Sequence, residues 1–151
     1  MRQGITVIEL MIVLAIIAIM GILMAPAIGE WAENYRIRQG ARDIVSTLQL
    51  ARMRAISTCR EYQVVFDVTN ETCQLQQGNL PTNSTSWEDE GGAVSMSRGV
   101  NINSTNFPSD TVQFNPNGSS SNGRIEIANV RGKQYRIMLT RVGRPAIIEG
   151  W

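Results

Sequence analysis

The hydrophobic rhythm of the chain changes twice. From Ile5 to Ala25 nearly every position is apolar, and only Thr6 and Glu9 interrupt the run. A segment apolar on every side is not the stripe of a surface helix. As a helix it would reach about 32 Å, enough to cross a bilayer core of about 30 Å. After Pro26 the pattern turns amphipathic. Ile28, Trp31, Tyr35, Ala41, Ile44, Val45, Leu48, Ala51, Ala55 and Ile56 recur at steps of three and four, with Glu30, Glu33, Arg36, Arg38, Arg42, Asp43, Arg52 and Arg54 between them. The two halves predict one helix, or nearly one, from about Ile5 to Ser57. Pro26 lacks an N–H, so a bend or local melting is expected there.

Beyond Cys59 the period shortens to the alternation of strands. Gln63–Val68 and Thr72–Gln76 flank the turn Thr69-Asn70-Glu71 and predict a hairpin. Further strands are expected at Gly99–Asn103, Thr111–Asn115, Gly123–Asn129 and Gln134–Thr140, with a short last one at Ala146–Glu149. Asn129-Val130-Arg131-Gly132 suits a tight connection between two of them. Asn79 to Gly92 reads as a polar loop, and so does Asn115 to Gly123. The acids Glu88, Asp89 and Glu90 do not have EF-hand spacing and suit hydration better than calcium. The expected fold class is α+β: a long N-terminal helix, apolar then amphipathic, packed on an antiparallel β-sheet or β-sandwich-like C-terminal domain. In residue terms, 5–27 is a transmembrane helix, 28–58 its amphipathic continuation, and 59–151 the β-rich domain.

Composition narrows the chemistry. At 151 residues the chain is one ordinary domain with at most a short appendage, and its net charge of +1 exerts no global pull on nucleic acid. It contains no His, the commonest general base and metal ligand. Cys59 and Cys73 are too few for a Cys-only zinc site. Without a phosphate loop either, the reading is of a non-enzyme that needs no cofactor. If the hairpin turns near Asn70, Cys73 faces roughly Asp67, and a Cys59–Cys73 disulfide would require a bend before Glu61. Export favours such a bond and the extended geometry opposes it.

The N-terminal run does not fit an ordinary cleaved signal peptide, whose apolar stretch is shorter and closes on a small-residue site. Glu9 is its odd member, because a carboxylate within an apolar span is costly and usually has a partner. Gly4 followed by Ile5-Thr6-Val7-Ile8-Glu9-Leu10-Met11-Ile12-Val13 resembles the class III prepilin signal of type IV pilin-like proteins. The resemblance implies that residues 1–4 are a leader cut after Gly4 by a prepilin peptidase. It implies an N-methylated Ile5, standing where Phe is usual, and a Glu9 that compensates the amino terminus of a neighbouring subunit. Pro26 in the second half of the run also fits. The implied partners are other pilin or pseudopilin subunits and an inner-membrane assembly platform. The implied location is the inner membrane, with a single span and the C-terminal domain outside the cytoplasm, and then the filament.

A second, shorter resemblance lies toward the C-terminus. Phe114 and a Gly-containing loop, then Arg124-Ile125-Glu126-Ile127, Tyr135-Arg136-Ile137-Met138-Leu139 and Val142-Gly143-Arg144, are similar to the GspH/FimT group of minor pilins and pseudopilins. That group implies a β-sandwich-like sheet pair on the long helix. Some FimT-type members bind DNA through Gly-Arg-x-Arg; here Gly143-Arg144-Pro145-Ala146 keeps the Gly-Arg and lacks the second Arg. The local basic excess makes Arg131, Lys133, Arg136, Arg141 and Arg144 candidate DNA contacts, although alternating strand positions point to different faces. A structural minor subunit of a pilus or a secretion pseudopilus and a DNA-binding competence pilin therefore stand side by side.

Overall fold

The computed structural model describes residues 6–150, and the side chains of residues 23–28 also lie outside the described set. One helix, α1, runs from Val7 to Thr58. The chain divides into two units, Met1–Glu33 and Asn34–Trp151.

In the first unit the described side chains from Thr6 to Ile22 are all exposed. Val7 and Ile22 are among the most open, at 77% and 74%. Thr6 caps the start of α1. Its hydroxyl accepts the N–H of Glu9 at 3.3 Å and its carbonyl accepts the N–H of Leu10 at 3.2 Å. Among the described residues no helix is long and apolar enough to cross a membrane. The apolar run of the sequence continues into Ile5 and residues 23–25, which fall outside that set. The helical assignment continues through position 26.

The second unit holds the core. Ile37, Ala41, Ile44, Leu48, Ala51 and Ala55, spaced alternately by four and three, are all fully buried and form the seam by which α1 packs on the strands. The seam is narrower than the apolar pattern predicts. Tyr35 and Ile56 are exposed, as is Trp31 in the first unit, whereas Ile37 is core.

The strands are β1 Tyr62–Asp67, β2 Thr72–Gly78, β3 Trp87–Asp89, β4 Val94–Ser95, β5 Val100–Thr105, β6 Thr111–Phe114, β7 Gly123–Asn129, β8 Gln134–Leu139 and β9 Pro145–Glu149. They form two antiparallel sheets. Sheet 1 has the order β3-β2-β1-β6, with β4 also on β2; sheet 2 has the order β5-β7-β8-β9. The alternation of β1 and β8, buried then half-buried or exposed, directs Tyr62, Val64, Phe66, Tyr135, Ile137 and Leu139 into one core with the helix seam. A long helix packed on a β-sandwich-like pair of sheets is the α+β fold expected.

Strands β3 and β4 depart from expectation. The stretch Asn79–Gly92 was expected to be loop throughout, yet Trp87–Asp89 pairs with Gln76–Gly78 of β2. The pairing draws on Gln76, whose amide donates to Asp89 Oδ1 at 2.8 Å. Both acids on β3 are exposed, so the alternation that betrays a half-buried strand is missing.

The turn between β1 and β2 is held by Asp67, whose carboxylate accepts the N–H groups of Thr69 and Asn70 at 2.9 and 2.8 Å. From the same turn Glu71 reaches the other sheet, where its carboxylate accepts the N–H of Ile102 on β5 beside a register shift. The two cysteines are unbonded: Cys59 is exposed just past α1 and Cys73 is buried opposite Phe66. Burial pushes the Cys73 thiol up to about 11.

Candidate functional site

Gly4 and Ile5, the expected cleavage and methylation residues, lie outside the described residues, as does the side chain of Pro26. Glu9 is placed. It is exposed at the third helical position, with its N–H bonded to the Thr6 hydroxyl. Thr6-Val7-Ile8-Glu9 has the S/T-x-x-E spacing of a capping box, so an acid here also suits the positive end of the helix dipole. Sequence reasoning treated Glu9 as an intruder in an apolar run and missed that spacing.

The basic candidates do not form one patch. Arg131 and Lys133 belong to the turn between β7 and β8, where Asn129 Oδ1 accepts both backbone N–H groups at 3.1 and 2.8 Å. Lys133 Nζ is 2.7 Å from Glu149 Oε1 and lies over the Tyr135 ring, 5.7 Å from its centre. Glu149 raises the pKa of Lys133, and Lys133 in turn holds the Glu149 carboxylate below its ordinary value. Arg136 sits on the outer face of sheet 2 directly opposite Glu126, with Nη2 2.9 Å from Glu126 Oε1, and Arg124 reaches the same oxygen at 3.1 Å.

Arg141 and Arg144 are exposed in the turn between β8 and β9, at the other end of the sheet. Eight residues of strand separate Lys133 from Arg141, roughly 26 Å at 3.3 Å per residue. The structure thus brings Arg141 and Arg144 together and sets Lys133 and Arg136 apart in ion pairs.

Two helix arginines complete the picture. Arg38 donates to the Tyr135 hydroxyl at 3.1 Å and stands 3.6 Å from Glu149. Arg52 donates from Nε to the Gly118 carbonyl at 3.0 Å. They flank the buried seam of α1, and from the sequence they were indistinguishable from a solvated face. Between Arg52 and the last turn there is little room. Gly143 has φ +72, and a Cβ there would stand 2.3 Å from the Gly118 carbonyl. Gly143→Ala should therefore destabilise the domain by about 1–3 kcal/mol, measurable by chemical denaturation.

A second polar site lies under the loop between β2 and β3. The Glu61 carboxylate is 3% exposed and accepts the N–H of Asn83 at 2.9 Å and of Ser84 at 2.7 Å. Burial alone would raise its pKa, but the donors of Ser84, Asn83 and Gln113 outweigh burial and hold it below the usual carboxylate value. The stability this gives is complete above the unfolded pKa, about 4.3, and is lost as pH falls through the folded value. Glu61→Gln should lower the melting temperature at neutral pH and flatten the loss of stability below about pH 4.3 seen in thermal scans of the parent. Equal acid limbs in both proteins would refute the clamp.

Comparison with known proteins places this architecture. Residues 40–143 match the family described as type II transport protein GspH. The type II secretion system protein H of Xanthomonas campestris pv. campestris is 24% identical over 138 residues, which span 89% of this chain and 76% of that protein. Two solved structures share the fold. The minor pseudopilin EpsH from the type 2 secretion system of Vibrio cholerae aligns with a TM-score of 0.60 and 14% identity, over 76% of this chain and 97% of that one. The type IV minor pilin FimU of Pseudomonas aeruginosa aligns at 0.55 and 15%, over 80% and 92%.

Proposed function

From the premise that the chain belongs to the type II transport protein GspH family, we propose that it is a minor pilin or pseudopilin subunit that assembles into its filament through the N-terminal helix. The observation that carries this reading is the exposed apolar surface of α1 from Val7 to Ile22, broken only by the acid Glu9. Such a surface needs lipid before assembly and neighbouring helices after it. Gly4 is the peptidase cleavage residue and Ile5 the methylated terminus. The span of residues 5–27 holds the subunit in the inner membrane, with the β-rich domain outside the cytoplasm, until the assembly platform takes it up.

Glu9 is the assembly carboxylate. A neighbour's amino terminus paired with it in a water-poor filament core fixes one axial offset between helices, because an unpaired charge there is strongly disfavoured. Glu9→Gln separates this role from helix capping, since Gln also satisfies the capping box. The variant should insert in the membrane normally and enter sheared filaments at least about tenfold less, a loss of about 1.4 kcal/mol or more of assembly free energy. Parent-like incorporation, scored by immunoblot of the sheared fraction, would defeat the charge-pairing role.

The DNA reading has less support. Lys133 and Arg136 are committed to Glu149 and Glu126, and Arg131 lies in the turn at the far end of the strand from the exposed Arg141 and Arg144.

A further inference from the structure

Among the described residues, nothing pairs with one side of the backbone of β9. β9 is the last strand of sheet 2. The N–H of Thr140 donates to the Arg144 carbonyl at 3.3 Å, and the N–H of Gly150 donates to the Gln134 carbonyl at 3.2 Å. In an antiparallel ladder such bonds fall at every second residue, so Arg144, Ala146, Ile148 and Gly150 bond β8. The backbone groups of Pro145, Ile147 and Glu149 therefore face outward. Pro145 lacks an N–H, which leaves two donors and three acceptors in a row. Edges of this kind are normally blunted by charge, bulges or a covering element. Pro145 guards only the beginning of this one.

The side chains of the same three residues lie on the core side of the sheet, opposite Leu139, Ile137 and Tyr135. Yet Ile147 is 40% exposed, because a groove runs between β9 and the second half of α1. Two pockets open along it: one of about 180 Å³ is lined by Arg38, Ala41, Arg42, Tyr135, Ile147 and Glu149, and one of about 440 Å³, toward the start of β9, by Gln49, Arg52, Met53, Gly143, Arg144 and Pro145. Ala41 and Ile147 give the first apolar surface and Met53 and Pro145 the second, and each carries guanidinium groups, those of Arg38 and Arg42 in one and of Arg52 and Arg144 in the other. Arg42 and Arg144 have no ion-pair partner among the described residues. Glu149, the acid among the lining side chains, is already held by Lys133 and Arg38.

We propose that β9 and this groove receive an extended segment of a partner protein, which adds to sheet 2 as a further strand. The groove-facing residues of that segment are apolar at the centre and acidic toward the ends. Strand addition draws affinity from the main-chain bonds and specificity from alternate side chains, and the groove supplies both halves of that recognition. The site draws on α1 only from Arg38 onward and on none of the apolar stretch Val7–Ile22, so its failure would leave the filament reading standing.

The test uses the full chain in detergent micelles and a fluorescein-labelled peptide, Ser-Glu-Ser-Val-Ser-Glu-Ser, whose alternate residues present Glu, Val and Glu. Binding is followed by anisotropy, and hydrogen exchange is followed at the amides of Ile147 and Glu149. The peptide is expected to bind, to slow exchange at those two amides, and to lose at least about tenfold in affinity when Lys replaces its Glu residues. Ile147→Pro, which removes an outward N–H without touching the β8 ladder, and the exposed Arg42→Glu should each weaken it comparably. No binding at millimolar peptide, or binding that leaves exchange at both amides unchanged, would overturn the proposal. So would affinity retained in both variants. Displacement of the peptide by a thymidine oligonucleotide that protects neither amide would overturn it in favour of a nucleic-acid surface.

Discussion

Replacing Gly4 with Val should leave the chain at its full length in cells that carry a prepilin peptidase, and filaments should then contain none of it. The expectation follows from the position of the residue. The proposed leader, residues 1–4, ends on glycine, which without a side chain lets the backbone pass closely through a protease site, and a β-branched residue obstructs that approach. An uncleaved chain carries Arg2 into the filament core and lacks a free amino group on Ile5 to meet the Glu9 of its neighbour. Both faults act on assembly and neither acts on the β-rich domain, whose core draws on α1 only from Ile37 onward. Mass spectrometry of the membrane fraction decides the matter. A mature-length variant would remove the leader assignment, and with it the charge pair proposed for Glu9.

The second large effect concerns the domain itself. Phe114 is fully buried at the end of β6, where it faces Tyr62 of β1 in register and also bridges to Ser120. It therefore joins the edge of sheet 1 to the loop that leads into sheet 2. Phe114→Ala removes an aromatic ring from a site walled by the helix seam and both sheets, where rigid neighbours cannot collapse into the void. The cost should be about 3–5 kcal/mol. For a domain of this size the melting temperature should fall by about 10 °C or more. A loss below about 1 kcal/mol would mean that the two sheets do not share the core described.

How far the sequence reveals this molecule depends on the range of the interactions involved. The helix and the longer strands announce themselves by period, and the Thr69–Glu71 and Asn129–Gly132 turns by their residue types. All of these are local signals. The seam was less legible: Trp31 and Tyr35 are apolar enough to read as core, and only the actual packing turns the helix so that Ile37 is buried in their place. β3 was invisible because its stability comes from a neighbour, β2, and not from an apolar alternation of its own. The ion pairing of the basic candidates was hidden for the same reason. That Arg136 stands opposite Glu126 is a matter of strand register, and that Lys133 meets Glu149 requires β9 to fold back along β8. Neither is written in any short window of residues. The Thr6–Glu9 spacing was local and legible, but the family pattern drew attention to the acid and away from the threonine before it.

The two thiols make the chain its own folding reporter. Cys59 lies open past the end of the helix, while Cys73 is enclosed and its thiol is pushed far from the reactive thiolate form. An alkylating reagent should therefore add one mass increment to the native protein at once and a second only when the sandwich opens. Where alkylation outpaces reclosing, the interval between the two additions times that opening, without a mutation or a denaturant.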